Sequence, residues 1–367
     1  MRTGRRQCAL IAAGGTGGHV IPGIEVAKAL RGRGWDCVFL GTARGFENRL
    51  VPAAGFPLYR LRAGSLKRVS LRRRLRTLLD LPAAVGVALR LVRDRSPRAA
   101  LSLGGFAAGP LVAACALADV PLVVLEPNAF PGLANRLAGP LARRTLVGHP
   151  LAASFFRPAS CAVTGMPVRS GFFEVGPRPA GERFTVLILG GSQGAARLNG
   201  AAVEATRIWR RGGRPVPRII HQTGAQEYEW VAGAYRDLGV DARTAPFFDD
   251  MAGAFAACDL IVCRAGASVI AELCAARKPA VLIPFPHAAD DHQRANGAVL
   301  AAAGGASLVE DGDWTGERMA REVDALSADP ARLARMSASL EPLAPASACE
   351  DAADAVEEAA ERAGRGV

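Results

Sequence analysis

Two stretches of this chain, "QCALIAAGGTGGHVIPGIEVAKA" (7–29) and "RFTVLILGGSQGAARLNGAAVEA" (183–205), share one grammar: an apolar strand, a glycine-rich turn, then a helix. Further β-type runs follow each of them. "DCVFLG", "AALSLG", "PLVVLE" and "RTLVGH" come after the first; "RIIHQTG", "DLIVCRAG", "PAVLIPF" and "GASLVE" come after the second. Helical stretches such as "IPGIEVAKALRGRG" and "PGLANRLAGPLARR" lie between the runs. Strand and helix alternating at this spacing predict parallel sheets covered by helices on both faces. The repeat, about half a chain apart, predicts two similar doubly wound α/β domains in tandem. Their glycine turns would lie at strand carboxyl ends and face one cleft. The pattern lapses over 165–181, which reads as a linker. The expected division is a domain over 1–165, a second over 166–343, and an Ala- and Glu-rich helical segment within 344–367 crossing back to the first.

The 367 residues, half of them hydrophobic, suffice for two cores. A net charge of +11 favours anionic partners: nucleotides, phosphorylated substrates or an acidic membrane surface. Nucleic acid is not among the expected partners, because aromatic residues are only 6% and no zinc-finger, RNP-type or KH motif occurs. The eight cysteines, at 8, 37, 115, 161, 258, 263, 274 and 349, form no C-x-x-C pair and sit mostly in apolar runs. They read as reduced, buried thiols of a cytoplasmic protein. The basic-then-apolar N-terminus breaks into glycines too soon for a signal peptide. The apolar run from Phe106 to Glu126 is split by Gly109-Pro110 and by Asp119 to Pro121, so it reads as a helix and a strand rather than a membrane span.

A glycine turn before a helix presents bare N–H groups to an anion. In "GGTGGH", Gly14 to His19, the dinucleotide pattern G-x-G-x-x-G fails: Gly15 and Gly17 are followed by Val20. The acidic residue that such a site needs after the next strand is also missing from "VFLGTARG". No G-x-x-x-x-G-K-[ST] occurs either. Two turns, one per domain, suggest a diphosphate or several hydroxyls held there. A third block, Cys263 to Gly297, predicts a strand ending at Cys263 and a helix from about Ala267 that carries Glu272, a carboxylate able to accept two bonds from a ribose diol. After it come His287, Asp290, Asp291, His292, Gln293 and Asn296, the amide and imidazole chemistry that sugar hydroxyls require. Two histidines five apart are a weak metal pattern.

"GGTGGH", "GGF..GP" (Gly104 to Pro110), "EPN" (Glu126 to Asn128), "TGMPVR" (Thr164 to Arg169), "GGSQGA" (Gly190 to Ala195), "FFDDM" (Phe247 to Met251) and "RAGAS…E…PFPH…DHQ..N" occur together in order. In this the chain closely resembles the MurG family of bacterial peptidoglycan glycosyltransferases. The resemblance implies a two-domain GT-B fold and transfer of N-acetylglucosamine from UDP-N-acetylglucosamine to lipid I, giving lipid II. It implies that Ser192 and the turn amides hold the donor phosphates, with Arg169 also facing the donor. Phe248 would offer backbone groups to uracil, and Glu272 would bind ribose. Ala267, Ser268 and Val269 would line the nucleotide, while His292 and Gln293 read sugar hydroxyls. Thr16, Gly17, Gly18 and Asn128 would close the donor site from the N-terminal side, and Gly104, Gly105 and Phe106 would serve the acceptor. Many members have Thr at Val269, Gln at His292 and Tyr at Phe106.

The reaction so implied is an inverting displacement in which the acceptor hydroxyl loses a proton. A near-neutral imidazole suits that task, and His19 is the candidate base; an orienting hydrogen bond is the alternative. No tightly bound cofactor is expected, and a divalent cation is admitted but indicated by no motif. The segment from Arg60 to Arg93 carries Leu71, Leu75, Leu78, Leu79, Val85, Leu89 and Val92 near helical spacing. Lys67, Arg68, Arg72, Arg73, Arg74 and Arg76 lie among them. An apolar stripe beside a basic face reads as an interfacial helix on anionic lipid; packing against the core is the alternative. The expected location is the cytoplasmic face of the bacterial inner membrane, peripherally bound, with other cell-wall synthesis proteins as further partners. The rival functions are another GT-B UDP-sugar transferase, a UDP-N-acetylglucosamine 2-epimerase on the same kind of fold, and a non-catalytic nucleotide-binding module.

Overall fold

The computed structural model describes residues 7–15, 17–43, 45–61, 71–178, 182–191 and 194–364, without the side chains of 71–78 and 363–364. The chain forms two compact units: Met1–Val168 with Pro345–Val367, and Arg169–Ala344. The first unit holds a seven-stranded parallel sheet: β1 (Cys8–Ala12), β2 (Asp36–Thr42), β3 (Leu58–Leu61), β4 (Ala99–Ser102), β5 (Leu122–Glu126), β6 (Arg144–Val147) and β7 (Cys161–Val163). Their order is β3-β2-β1-β4-β5-β6-β7. The second unit holds six parallel strands: β8 (Thr185–Leu189), β9 (Arg218–Gln222), β10 (Ala242–Ala245), β11 (Leu260–Cys263), β12 (Ala280–Leu282) and β13 (Ala306–Leu308). Their order, β10-β9-β8-β11-β12-β13, is the same doubly wound scheme. In both sheets the order reverses beside the strand that feeds the glycine turn, β1 against β4 and β8 against β11. Crevices at such switch points, outside the strand carboxyl ends, are where open α/β sheets bind ligands.

The central strands read as unbroken apolar runs because both faces are covered. β1, β4, β5 and β8 are buried along their whole lengths. Two covering layers are apparent in the first unit. Ala352, Ala353, Val356, Ala359 and Ala360 of the C-terminal helix Ala348–Gly364 join the core formed with Leu30, Trp35 and Phe39. On the opposite face, Ala88, Leu91 and Val92 of the helix Leu71–Arg95 pack with Leu111 and Cys115. The C-terminal helix is also held at its surface. Arg33 pairs with Glu350, Asp354 and Glu357, and Trp35 Nε1 donates to Glu357 at 2.8 Å.

Three strands, β3, β7 and β10, escape the sequence reading. They are short, and two of them carry charged or polar residues, so no apolar run marks them. The lapse at 165–181 is only partly a linker. Phe172 is fully buried and meets Phe255 edge-on at 5.0 Å, and Val175 is buried too. "PGLANRLAGPLARR" yields a shorter helix than its periodicity suggests, Leu133–Ala138 followed by a 3-10 turn at Gly139–Leu141. Gly139-Pro140 stops the regular α pattern there.

Candidate active site

In the first unit, three loops meet beyond the carboxyl ends of β1, β2 and β4. The helix Gly17–Gly32 starts inside "GGTGGH", so half-buried His19 stands in its first turn with Gly17 and Gly18 before it. Thr16 lies outside the described residues. The loop after β4 brings Gly104, Gly105 and Phe106, the last exposed at 44%. Gly105 has φ +78°, and a Cβ there would strike the carbonyl oxygen of Gly14. The two loops therefore touch backbone to backbone, which only glycine permits.

Two buried carboxylates to which the motif reading gave no role organise loops of this unit, Glu47 those after β1 and β2 and Glu126 the one after β5. Glu47, wholly buried, accepts from Gly15 N–H at 2.9 Å, Thr42 N–H at 2.7 Å and the Thr42 hydroxyl at 2.8 Å. Glu126, at the end of β5, accepts from Asn128 N–H and Nδ2 at 2.9 and 3.0 Å, and from Gly132 N–H and Asn135 Nδ2 at 3.0 Å each. Burial pushes the pKa of Glu126 up, and those four donors oppose the shift. Asn128 is buried and gives its amide to Glu126.

The second unit gathers most of the expected donor residues. Its helix Ala267–Ala275 follows β11 without a side-chain cap, behind Gly266. A helix start of this kind aims N–H groups and a positive dipole end at an anion. Ala267 is buried, Ser268 and Val269 are half-buried, and Glu272 faces Arg169 from the second turn. Arg169 Nη2 donates to Glu272 Oε1 at 2.8 Å. Burial is the larger influence on Glu272 and raises its pKa; the Arg169 charge and hydrogen bond pull it down. Arg169 also stacks over Phe172 at 4.8 Å, and its buried Nε has no hydrogen-bond partner.

Phe248 is buried after β10, with Arg243 over its ring at 5.1 Å. Its N–H donates to Gln222 Oε1 at 2.9 Å. That N–H is therefore already engaged within the unit. Gln293 ties two loops together: its Oε1 accepts from Ala265 N–H at 3.2 Å and from Phe285 N–H at 2.9 Å, leaving its NH2 to donate. His292 Nδ1 donates to the Ala289 carbonyl at 2.5 Å, which in the neutral ring turns Nε2 into an acceptor. Just before it, Asp290 and Asp291 both hold positive φ, 53° and 52°. Such backbone is strained for non-glycine residues and clusters at functional loops. Arg264, another residue the motif reading left without a role, donates to the Ile283 and Pro284 carbonyls at 3.2 Å each and to Asp311 at 2.6 Å.

The turn between β8 and the helix Ala196–Arg211 is equally tight. Gly194 has φ +82°, and a Cβ there would lie 2.6 Å from the Thr223 carbonyl oxygen. Ser192 lies outside the described residues, as do the side chains of Arg72, Arg73 and Leu75. Leu79 is 78% exposed, whereas Val92 of the same predicted stripe is buried in the core. Among the described residues, no group of three or more His, Cys, Asp or Glu side chains is placed to hold a metal ion.

Residues 9–147 match the glycosyltransferase family 28 N-terminal domain and residues 185–358 the family 28 C-terminal domain. A relative from Solibacter usitatus is 45% identical over 96% of both chains; it is a UDP-N-acetylglucosamine–N-acetylmuramyl-(pentapeptide) pyrophosphoryl-undecaprenol N-acetylglucosamine transferase. The crystal structure of Acinetobacter baumannii MurG superposes with a TM-score of 0.77 at 28% identity, covering 96% of this chain and all of that one. A UDP-N-acetylglucosamine 2-epimerase structure covers 94% of each chain with a TM-score of 0.64, but at 14% identity it shares the fold alone. Two GT-B domains in this order and a relative so similar along its whole length leave one assignment: the chain belongs to the MurG family of glycosyltransferase family 28.

Proposed function

We propose that this protein transfers N-acetylglucosamine from UDP-N-acetylglucosamine to lipid I, forming lipid II for peptidoglycan synthesis. The observation that carries the donor half is the buried carboxylate of Glu272, held by Arg169 one turn into a helix whose start can face phosphate. A ribose diol would bond Glu272, and the base would meet the Phe248 carbonyl. The donor diphosphate would lie over the N–H groups at Ala267 to Val269 and beside Ser192, with Arg169 adding positive charge. As the glycosidic bond breaks, charge grows on the departing UDP, and prearranged N–H groups stabilise it without having to reorganise. The Gln293 NH2 and His292 Nε2 would read the sugar hydroxyls. On this reading the second unit is the donor domain, and the first, with Gly104, Gly105 and Phe106, serves the acceptor, while Gly17, Gly18 and Asn128 close the donor site from the N-terminal side.

The acceptor hydroxyl must be deprotonated as it attacks the anomeric carbon from the face opposite the leaving group. His19 stands in a helix first turn beyond the carboxyl end of β1 and is assigned as general base. His19→Ala is expected to lower kcat by about 100-fold or more, with donor KM changed little; retention of most wild-type kcat would assign the ring an orienting role instead. The reaction itself is tested with UDP-N-acetylglucosamine and a lipid I analogue. UDP release with a disaccharide lipid is the expected result. Epimerised sugar nucleotide, or binding without turnover, would overturn the assignment.

The acceptor is a lipid, and no helix among the described residues is long and apolar enough to cross a membrane. Peripheral attachment at the cytoplasmic face, through the first half of the helix Leu71–Arg95, satisfies both. Leu79 and Leu81 are exposed there, in a segment with arginines at 72, 73, 74 and 76.

A further inference from the structure

We infer that Glu47 is a positioning residue for the reaction: its buried carboxylate sets the shape of the "GGTGGH" turn and so the place of His19. This rests on the reading of His19 as the base. Glu47 belongs to neither glycine motif. It lies after β2, at the start of the short helix Glu47–Ala53, and is completely buried. One oxygen, Oε1, is spent on its own side of the fold, accepting from the Thr42 N–H and hydroxyl. The other, Oε2, crosses to the neighbouring loop and accepts Gly15 N–H at 2.9 Å.

That second bond acts on the turn itself. Gly15 holds φ +95°, a conformation open to glycine and closed to most residues. Two residues later the helix carrying His19 begins. The loop is tightly fitted around the carboxylate: a Cβ on Gly14 would lie 3.1 Å from Glu47 Oε1, and one on Gly41 would collide with Glu47 Cγ. From the far side, Gly105 presses on the Gly14 carbonyl. A backbone N–H aimed at a buried anion, inside a loop gripped on both sides, has a single low-energy path. A partly buried N–H robbed of its acceptor is unfavourable. The turn would move to recover it, and an error of about 1 Å at a reacting group can cost about 100-fold in rate.

Glu47→Gln keeps the shape but places an NH2 against N–H donors on one side. The expected result is a kcat about 10- to 100-fold lower, with affinity for UDP itself within about twofold of wild type, since the residues expected to hold the nucleotide, Arg169, Phe248 and Glu272 among them, lie in the other unit. Thr42→Val removes one of the three bonds on the side away from the turn and serves as the stability control; its melting temperature should fall while kcat stays within about threefold. Glu47→Asp retains charge but not reach, and its kcat should lie between wild type and Glu47→Gln; should Glu47→Gln fail to fold, Glu47→Asp decides the matter by the same readouts. A kcat for the Glu47 variants no lower than that of Thr42→Val, or a UDP affinity that falls along with kcat, overturns the positioning role. His19→Ala is assayed in parallel. If it loses kcat while the Glu47 variants keep theirs, only the positioning role fails; if it keeps kcat, the base assignment is what fails.

Discussion

Glu272, proposed to bind the donor ribose, is a side chain costly to the fold. Taking a carboxylate out of water is unfavourable, and burial accordingly raises its pKa. Arg169 recovers part of that cost through the 2.8 Å bond. Glu272→Gln should therefore fold, yet lose the charge-assisted bonds to a ribose diol. The expected outcome is a donor KM about 10- to 100-fold higher with kcat less affected, read from initial rates at saturating acceptor. An unchanged KM would remove Glu272 from the nucleotide site. The place of Glu272 on a helix after β11 was legible from the strand-then-helix pattern, while its pairing with Arg169 was not. Nor were the roles of Glu47 and Arg264. Each acts through hydrogen bonds to backbone groups distant in sequence, such as Gly15 and Ile283, and no local spacing announces such partners.

At the scale of elements, the apolar central strands and the glycine turns were readable because burial on both faces leaves no room for polar residues. Edge strands such as β3 lack that signature, since Tyr59 and Arg60 face solvent. The helix Leu71–Arg95 is the instructive mixed case. One periodic stripe was assigned to a membrane, but the structure divides it. Ala84, Ala88, Leu91 and Val92 pack into the first unit, whereas Leu79, Leu81 and Val87 remain exposed. Amphipathic periodicity alone does not distinguish a core from a bilayer. What separates them is whether neighbouring elements cover the stripe, and among the described side chains the covered ones begin at Ala84. The membrane reading thus narrows to the first half. Leu79→Ser should reduce co-sedimentation with anionic vesicles by roughly tenfold, for a loss of about 1.5 kcal/mol of apolar burial. UDP binding should be untouched. Equal co-sedimentation of variant and wild type, or no dependence on anionic lipid, would count against this surface.

For the molecule as a whole, acid sensitivity should come from a histidine that takes no part in catalysis. His221 sits at the end of β9, fully buried, with Nε2 2.9 Å from Asn199 Oδ1 and Nδ1 2.9 Å from the Tyr235 hydroxyl. Asn199 spends both amide protons on the Thr223 carbonyl and Glu227, so its oxygen must accept from His221 Nε2–H. Nδ1 is then bare and accepts from Tyr235, and the network is satisfied only by the neutral ring. Burial pushes the pKa of His221 down to about 3. An unfolded histidine titrates near 6.5. The stabilisation is therefore complete above about pH 6.5 and is lost as pH falls toward 3, because the unfolded chain takes up a proton that the folded one refuses. At pH 5 the loss is about 2 kcal/mol from this residue alone. Glu126 and Glu272, whose pKa values burial raises, work in the opposite sense, since the folded state binds their protons first. The comparison must therefore be made against a chain that keeps them. His221→Gln offers a donor and an acceptor without a titrating ring. Its unfolding, followed through Trp209, Trp230 and Trp314 of the same unit, should be easier than wild type at pH 7. Between pH 7 and pH 5 it should then lose about 2 kcal/mol less than wild type does. Parallel losses in the two proteins would mean that the acid lability of the second unit resides elsewhere.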